Sequence, residues 1–525
     1  MEFTCSRNPS DTFRYDLLRK VLKRLKREED FYNIIHLAKA PLEITKIAEE
    51  NKYQNIRIAI LGSGLSGLAA AYELHKLGCE IVLFEANSFH LGGRVYTHYF
   101  NEQNYGELGA MRVPISHETT WHYINLFKLN TLPFNYETEN DILYVDRIRL
   151  KGKNIDKEIM HYIYPNYDLN EWERNTKPSK LIEYVLNDVL LKLDPSERKQ
   201  LLIIQETYPE FINFYDSLNF YQACNRLGLS EGAINLISNI IGHDRGLFYN
   251  SYLESLKETY STNYAYYYRI ENGMNSLPLA FLKALIGKIK LKIGYRVIGI
   301  YDNPIDNEVL VKYRYNNIEN TEKFDYVVCT LPFSQLRLID ICPPFSSRKM
   351  EAISLVNYAP SQKTLMLCNK PFWGKNLGGS SVTDLAITSI WYPVSPNQVL
   401  TASYNMGLDA TRVGNQNEFD RIELIKRQLE AVHGLPNDYL DMVVEDYITR
   451  NWNCYEYSLG AFCWYQPGQN RLYSYSSIIP EFNNKVFFSG EHTSSYHAWM
   501  QGALQSGMVA ANNIAYLLNL KGKSI

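Results

Sequence analysis

Residues 56–85 read IRIAILGSGLSGLAAAYELHKLGCEIVLFE, and this stretch decides the fold of the chain. A short apolar run, Ile56–Leu61, precedes three closely spaced glycines, and the helical pattern Leu68–Leu77 follows them. A second apolar run, Glu80–Phe84, ends at the acidic residue Glu85. The pattern predicts a strand–turn–helix–strand unit.

The three glycines of the turn, Gly62, Gly64 and Gly67, have the spacing of a dinucleotide-binding turn. The first permits the tight turn, the second lets the backbone approach a pyrophosphate, and the third allows close packing of helix and strand. The helix then presents unpaired N–H groups to the phosphates. Glu85 lies 23 residues after Gly62, where an acidic side chain accepts hydrogen bonds from ribose hydroxyls. The sequence therefore predicts a dinucleotide site.

Along the rest of the chain, helical and strand patterns follow one another without an internal repeat or a low-complexity linker. An amphipathic helix is predicted over Asp11–Glu29, mainly helices over Lys180–Lys288, and a last helix over about Gly502–Leu518. The remaining predicted strands are Leu291–Tyr301, Val309–Tyr315, Tyr326–Leu331, Thr364–Cys368, Val399–Tyr404 and Lys485–Ser489. Because no linker separates these patterns, we expect interleaved domains rather than domains in series.

Length and charge limit the class of protein. The 525 residues correspond to about two to four domains. The net charge of −3 disfavours a nucleic-acid binder that works through bulk charge. The sequence contains no signal peptide pattern and no apolar run long enough to cross a bilayer. The eight cysteines have no C-x-x-C spacing, which predicts reduced thiols. We therefore expect a soluble cytoplasmic protein with no nucleic-acid, membrane or metal partner.

Two further segments identify the dinucleotide. Leu91-Gly92-Gly93-Arg94, just after the ribose acid, resembles the second flavin-binding feature of flavin amine oxidases. Residues 488–493, FSGEHT, are similar to the C-terminal flavin segment of that family, whose acid reaches a ribityl hydroxyl. No second glycine-rich nucleotide motif is present, which disfavours a reductase that also binds NADPH. The resemblance implies FAD as the cofactor.

Within this family the chain is most similar to L-amino acid oxidases, over nearly its whole length. Residues 105–114, YGELGAMRVP, resemble the stretch in which an arginine binds the substrate carboxylate. The segments that follow in the family's order are Ser255-Leu256-Lys257, residues 270–278 (IENGMNSLP), Lys363, residues 371–373 (PFW), residues 378–385 (GGSSVTDL) and His497-Ala498-Trp499-Met500.

The resemblance implies an α/β fold in which a Rossmann-type FAD-binding domain is interleaved with a mixed-sheet substrate-binding domain and a helical domain. The FAD-binding parts are expected at 52–115, 271–355 and 480–525. The substrate-binding parts are expected at 116–150 and 356–479. The helical domain is expected at 151–270, and helices of residues 1–51 are expected to pack on the substrate domain.

FAD is expected to bind noncovalently, because the chain has no cysteine after Glu491 to form the thioether of monoamine oxidases. The resemblance implies that the residues in contact with FAD are Gly62, Gly64, Leu65, Ser66, Gly67, Glu85, Ala86, Gly93, Arg94, Gly109, Ala110, Met111, Arg112, Val297, Glu491, Ala498, Trp499, Met500, Gln501, Gly502 and Ala503.

The resemblance also assigns the substrate contacts. Arg112 and Tyr404 are expected to bind the substrate carboxylate, through a charge-assisted fork and a hydroxyl. Ala498 and Trp499 are expected to flank the amino group, and Met406 to contact the side chain. The expected catalytic residues are Arg112, Tyr404, Trp499 and Lys363, of which Lys363 holds a water near the flavin N5.

The implied reaction is oxidative deamination of an L-amino acid by hydride transfer to the flavin. The imino acid is hydrolysed to a 2-oxo acid and ammonia, and O2 is reduced to hydrogen peroxide. The expected partners are a small-molecule L-amino acid, O2 and a second copy of the chain in a homodimer. Three alternatives stay open: an amide-forming amino-acid 2-monooxygenase, an amine or polyamine oxidase, and a flavin-binding protein without turnover.

The sequence departs from the family pattern at one place near the substrate entrance. Relatives carry a histidine shortly after the Ser-Leu-Lys triplet, and Glu258-Thr259-Tyr260 stands there instead. A gating or base role of that histidine is therefore not carried over. Large apolar or aromatic substrates are expected, because Met406, Met500, Trp499 and the tyrosine-rich stretch 260–268 supply apolar walls. No acid is assigned to the pocket from the sequence.

Overall fold

The predicted strand–turn–helix–strand unit lies at the centre of a five-stranded parallel sheet. The computed structural model describes residues 6–135, 138–153, 155–374 and 378–522. The strands lie in the order Lys290–Ile293, Glu80–Glu85, Arg57–Leu61, Tyr326–Cys329 and Val486–Phe488. All neighbouring pairs are parallel. This arrangement confirms the Rossmann-type α/β fold.

The helix of the predicted unit begins at Leu65, three residues before the predicted start, because Gly64 is its N-cap. It ends at Leu74 and continues as a short 3₁₀ turn. The predicted strand Leu291–Tyr301 is two strands that belong to different sheets. They separate at Gly294, whose φ of 82° is in the left-handed region and turns the chain.

A seven-stranded mixed sheet forms the second layer of the molecule. Its strands lie in the order Val444–Asn451, Ser361–Cys368, Val399–Met406, Ser389–Trp391, Ser380–Thr383, Ile142–Val145 and Ile148–Lys151. One pair of neighbours is parallel, and the others are antiparallel. The sheet is therefore mixed, as the family resemblance implied.

Four smaller sheets complete the strands of the described residues. They consist of Ile318–Phe324, Glu308–Tyr315, Arg296–Asn303 and Asp340–Cys342; of Val113–Pro114, Tyr267–Ile270 and Thr131–Phe134; of Thr97–Tyr99 with Tyr105–Glu107; and of Tyr358–Ala359 with Phe462–Cys463.

The α-helices are concentrated at the N-terminus and between residues 156 and 260. They span Asp11–Arg24, Phe31–Ala38, Leu65–Leu74, Glu118–Leu126, Asp156–Glu158, Glu171–Arg174, Pro178–Val185, Asn187–Leu190, Pro195–Gln200, Glu210–Asp216, Phe220–Arg226, Glu231–Ile240, Tyr252–Tyr260, Ser276–Leu285, Phe333–Leu336, Ser347–Leu355, Gly407–Gly414, Glu418–His433, Tyr439–Val443, Gln469–Ile478 and Met500–Gly522. Within the described part of the chain, no helix combines the length and apolar character needed to cross a membrane.

The strands of the parallel sheet come from all three stretches expected to bind FAD, 52–115, 271–355 and 480–525. The domain boundaries themselves stay predictions, and their ends at 1–5 and 523–525 lie outside the described residues, as does Cys5. The helix Met500–Gly522 packs directly on Leu65–Leu74. A Cβ at Gly507 would lie 2.3 Å from the carbonyl oxygen of Ser66.

We predict that alanine substitutions at two glycines of the dinucleotide turn change the free energy of unfolding by different amounts. A Cβ at Gly67 would lie 2.0 Å from the carbonyl oxygen of Gly62, whereas a Cβ at Gly64 would have no heavy atom within 4 Å. Gly67→Ala should therefore lower the stability of the flavin-free protein by about 1–3 kcal/mol or more. Gly64→Ala, the matched control, should leave it within about 1 kcal/mol. Urea unfolding measures both, and equal losses would contradict the packing argument.

Candidate active site

A cavity of about 330 Å³ lies at the carboxyl ends of the parallel strands. It begins beside Gly62 and Gly64 and extends to the seven-stranded sheet, where Lys363 and Tyr404 line it. Open α/β sheets bind their ligands at this edge, at the point where the strand order reverses. The cavity is therefore the candidate site for both a dinucleotide and a substrate.

The dinucleotide turn has the space and the donors that a pyrophosphate needs. Gly64 caps the helix Leu65–Leu74 without a side-chain hydrogen bond, which leaves N–H groups of the first turn available to a ligand. Beside them, Oε2 of Glu85 accepts hydrogen bonds from the backbone N and Oγ of Ser63, at 3.0 and 2.6 Å. An open backbone cradle next to a fixed carboxylate fits the pyrophosphate and ribose of FAD.

The carboxylate of Glu491 joins three segments that are far apart in the sequence. Its Oε1 accepts hydrogen bonds from Nη1 of Arg94 at 2.8 Å and from the backbone N of Cys463 at 3.0 Å. Its Oε2 accepts one from the backbone N of Ala498 at 2.9 Å. Ala498 has a φ of 64°, which residues other than glycine seldom adopt. The bond to Glu491 therefore holds a strained cavity residue in place.

Arg112 directly precedes the strand Val113–Pro114, and its guanidinium lies close to three aromatic rings. Its Cζ lies 4.7 Å from the ring centroid of Tyr267, 5.4 Å from that of Trp391 and 5.7 Å from that of Trp499. The faces of such rings stabilise a guanidinium and keep water away from it. A guanidinium held in this way can bind a carboxylate with two parallel hydrogen bonds.

Lys363 and Tyr404 lie directly opposite each other on neighbouring antiparallel strands. Nζ of Lys363 lies 4.4 Å from the Tyr404 ring centroid and donates a hydrogen bond to the carbonyl oxygen of Gly109 at 2.7 Å. The Tyr404 ring also stacks on His243, with ring centroids 4.4 Å apart. Burial and the nearby Arg112 charge lower the pKa of Lys363 to about 7.

Most residues that the resemblance assigned to FAD or substrate line this cavity. They are Gly62, Gly64, Leu65, Ser66, Glu85, Ala86, Gly93, Arg94, Gly109, Ala110, Met111, Arg112, Val297, Lys363, Tyr404, Met406, Glu491, Ala498, Trp499, Met500 and Ala503. Their individual roles stay predictions.

Three assigned residues do not line the cavity: Gly67, Gln501 and Gly502. Nε2 of Gln501 donates a hydrogen bond to the carbonyl oxygen of Ala38 at 2.7 Å. A Cβ at Gly502 would lie 2.1 Å from Oγ of Ser494, so this glycine allows a close approach of two chain segments. These residues support the cavity wall by packing, and direct contact with FAD stays a prediction for them.

Two carboxylates that the sequence analysis did not assign also line the cavity, Asp244 and Glu258. Glu258 lies on the helix Tyr252–Tyr260, and its two oxygens accept hydrogen bonds from Nε1 of Trp499 at 2.8 and 3.0 Å. Burial raises the pKa of Asp244 to about 6 and that of Glu258 to about 8. The sequence contains a signal for Glu258, because this residue stands where relatives carry a histidine. It contains none for Asp244, which lies in the 3₁₀ turn Gly242–Leu247 and belongs to no motif.

A second cavity, of about 580 Å³, adjoins the first. It continues towards the helices Asp11–Arg24 and Pro178–Val185. The two cavities share the lining residues Asp244, Leu247, Glu258, Tyr264 and Trp464. The two cavities therefore adjoin at these residues, and the two carboxylates lie where they meet.

We predict that Glu258 makes stability depend on pH between about 4.5 and 8. The folded protein keeps a proton on this carboxyl group, whose pKa is raised to about 8, over a range in which the unfolded chain has lost it. The stabilising contribution is complete below about pH 4.5 and is lost as the pH rises to about 8. Urea unfolding from about pH 5 to about pH 8 should therefore show Glu258→Gln becoming steadily more stable relative to the wild-type protein.

The amide of Glu258→Gln can still accept the hydrogen bond from Trp499, so the comparison isolates the titration. The control is Glu319→Gln, at an exposed residue that pairs with Lys312 and Arg314. These cations hold the pKa of Glu319 below its usual value, so this control should show no trend over the same range. A Glu258→Gln difference that is constant with pH would contradict the prediction.

Comparison with known proteins agrees with this geometry. A family model described as "Flavin containing amine oxidoreductase" matches residues 65–515. The L-amino-acid oxidase of Sistrurus catenatus edwardsii is 28% identical over 503 residues, which cover 94% of this chain and 92% of that protein. The L-amino-acid oxidase of Bothrops moojeni is 29% identical over 508 residues, which cover 94% and 95%.

Solved structures share the fold at lower sequence identity. Putrescine oxidase bound to putrescine matches with a TM-score of 0.68 and 17% identity, covering 87% of this chain and 99% of that one. Cyclohexylamine oxidase from Brevibacterium oxydans matches with a TM-score of 0.70 and 16% identity, covering 88% and 99%. With the dinucleotide turn, the mixed sheet and the cavity between them, the family match over residues 65–515 means that the chain belongs to the flavin-containing amine oxidoreductases.

Proposed function

We propose that the protein is an FAD-dependent L-amino acid oxidase. The reaction converts an L-amino acid, O2 and water to a 2-oxo acid, ammonia and hydrogen peroxide. The observation that carries the proposal is one cavity that is lined both by the dinucleotide turn and by Arg112, an arginine in contact with aromatic rings. Relatives named L-amino-acid oxidase, which align with 94% of the chain, support it.

FAD fits the described residues at both ends of its expected position. The open cradle at Gly64 and the carboxylate of Glu85 suit the pyrophosphate and ribose, and the segment Ala498–Ala503 closes the opposite side. When bound, FAD supplies the acceptor for the α-hydrogen and its electron pair and passes the electrons to O2. No cysteine of the described residues lines the cavity, which supports noncovalent binding.

The chain's own residues bind and orient the amino acid. Arg112 binds the α-carboxylate with two charge-assisted hydrogen bonds, and the Tyr404 hydroxyl adds a third. Trp499 and Ala498 flank the amino group and exclude bulk water, and Met406 contacts the side chain. Fixing the carboxylate and the amine leaves the Cα–H bond with one orientation in the cavity, which is the main way such a site accelerates the reaction.

Lys363 positions a water for the reaction in this proposal. Its Nζ already donates to the carbonyl oxygen of Gly109, and its two longer contacts are with the carbonyl oxygen of Glu107 at 3.4 Å and with the sulfur of Met111 at 3.3 Å. A sulfur atom is a weak acceptor, so a water can replace Met111 at small cost. With a pKa lowered to about 7, Lys363 can also give up or take a proton near neutral pH.

The remaining sequence-based expectations stay predictions. The seven described cysteines are free thiols, as is usual in a reducing compartment, and this supports a cytoplasmic protein. The homodimer expected from the resemblance also stays a prediction. The expected preference for large apolar or aromatic substrates also stays a prediction. It was made with no acid assigned to the pocket, and Asp244 and Glu258 line the cavity.

We expect the flavin-loaded protein to convert L-amino acids, and not their D-enantiomers, to 2-oxo acid, ammonia and hydrogen peroxide in equal amounts. The fixed positions of the carboxylate and amine sites allow only one enantiomer to direct its Cα–H bond at the flavin. A panel of L- and D-amino acids with peroxide, ammonia and carbon dioxide assays checks this. Carbon dioxide and an amide would instead indicate a monooxygenase, and bound flavin that no amino acid reduces would indicate a protein without turnover.

We expect Arg112→Met to lower kcat/KM for an L-amino acid by several hundred-fold or more. An unpaired substrate carboxylate in the buried site costs about 3–5 kcal/mol. Tyr404→Phe removes one neutral hydroxyl and should cost roughly tenfold at most. The comparison substrate is the matching decarboxylated amine. The wild-type protein should prefer the amino acid over this amine, and Arg112→Met should lose that preference.

The matched control for Arg112→Met is Arg348→Met, which removes an exposed arginine paired with Glu351 on the helix Ser347–Leu355. The flavin content of every variant is measured by absorbance. An amine oxidase would give a different result, in which the wild-type protein oxidises the amine as fast as the amino acid and Arg112→Met changes neither rate.

A further inference from the structure

The point where the two cavities meet holds two buried carboxyl groups, Asp244 and Glu258, that have no ion pair with an arginine or lysine of the described residues. Among the described residues, the one ionisable nitrogen within 4 Å of the Asp244 carboxylate is Nε2 of His243, at 3.7 Å. Burial lowers the pKa of His243 well below its usual value, so this imidazole is neutral. Glu258 has no ion pair with a described residue, and the polar groups that stabilise its ionised form, the indole of Trp499 and the side-chain amide of Asn263, are neutral.

The other carboxylates of the first cavity differ in this respect. The oxygens of Glu85 accept hydrogen bonds from the backbone N of Ser63 and of Asn87, and Glu491 is paired with Arg94. These contacts explain both carboxylates as parts of the flavin-binding framework. Asp244 and Glu258 lie in the same cavity as Arg112, and neither is paired with an arginine or lysine of the described residues. Glu258 accepts hydrogen bonds from Trp499 instead.

One indole, that of Trp499, lies between Arg112 and Glu258. The ring centroid of Trp499 lies 5.7 Å from Cζ of Arg112, and its Nε1 lies 2.8 Å from Oε1 of Glu258. A substrate whose α-carboxylate binds Arg112 can therefore direct its side chain towards Glu258. Because Arg112 and Glu258 contact the same indole, the flexible four-carbon stem of a lysine side chain suits a substrate placed between them.

The second cavity adds three further carboxylates, Asp141, Asp156 and Glu183, to Asp244 and Glu258. Among its described lining residues, five are acidic and two are basic: Asp141, Asp156, Glu183, Asp244 and Glu258 against Arg24 and Lys153. A cavity lined mainly by one sign of charge raises the local concentration of ligands of the opposite sign. The second cavity therefore favours a ligand that carries positive charge.

From these observations we propose that the preferred substrates are L-amino acids with a cationic side chain, whose terminal ammonium or guanidinium group binds Asp244 and Glu258. The proposal rests on the proposed function, because it places the α-carboxylate on Arg112. A bound cation would supply Glu258 with a positive neighbour and Asp244 with a second one besides Arg112, and so would favour the ionised forms of both carboxyl groups. Charge at both ends of the substrate would then fix its orientation along the cavity.

The test compares each cationic amino acid with a neutral analogue of the same shape. For the flavin-loaded wild-type protein, we expect kcat/KM for L-lysine to exceed that for L-norleucine, and that for L-arginine to exceed that for L-citrulline, by about tenfold or more. Asp244→Asn and Glu258→Gln should each lower the lysine-to-norleucine ratio by about tenfold. Both substitutions keep the shape of the side chain, and flavin content with thermal unfolding verifies the fold of each variant.

Glu319→Gln is the matched control, since it removes one negative charge from the surface strand Ile318–Phe324 and should leave the ratio unchanged. A wild-type protein that oxidises L-norleucine or L-phenylalanine more efficiently than L-lysine would overturn this proposal, while the peroxide formed would leave the proposed function standing. Variants with an unchanged ratio would overturn it as well. If the flavin-loaded protein oxidised no L-amino acid, both the proposed function and this proposal would be wrong.

Discussion

The rest of the active site depends on one buried carboxylate, that of Glu491. It accepts hydrogen bonds from the side chain of Arg94 and from the backbone of Cys463 and Ala498, so three distant parts of the chain meet at one group. A buried carboxylate is stable only when charged or polar donors surround it. The folded state must therefore bring all three segments together, and the position of each cavity wall follows from that requirement.

Two cations lie in the substrate region, and their surroundings give them different properties. Arg112 keeps its charge because a guanidinium does not lose its proton in proteins, and aromatic faces stabilise it. Lys363 is buried close to that charge, and its pKa falls to about 7. The cavity thus combines a permanent positive charge, suited to binding, with a second group whose charge can change near neutral pH.

Much of the fold could be predicted from sequence because its signals are local. The glycine turn, Glu85 and the apolar runs of the parallel strands depend on neighbours within about 30 residues. The sequence pattern did not reveal that Leu291–Tyr301 is divided between two sheets, because that depends on the left-handed conformation of Gly294. The contact of Lys363 with Tyr404 depends on strand register, which a single sequence leaves undetermined.

The site was predicted unevenly for the same reason. Residues in family motifs, such as Arg112 and Glu491, were placed through resemblance and lie at the cavity. Asp244 was missed because a 3₁₀ turn between helices carries no motif, and only tertiary packing brings it to the cavity. The resemblance indicated that Glu258 was unusual, but its contact with Trp499 required the three-dimensional structure.

The acidic lining of the second cavity also has a consequence for the product. Oxidative deamination replaces the α-ammonium group with a carbonyl, so the product carries one more unit of negative charge than the amino acid that entered. The carboxylates of the second cavity repel this anion more strongly than the substrate. The same charges that would favour a cationic substrate therefore weaken retention of the 2-oxo acid.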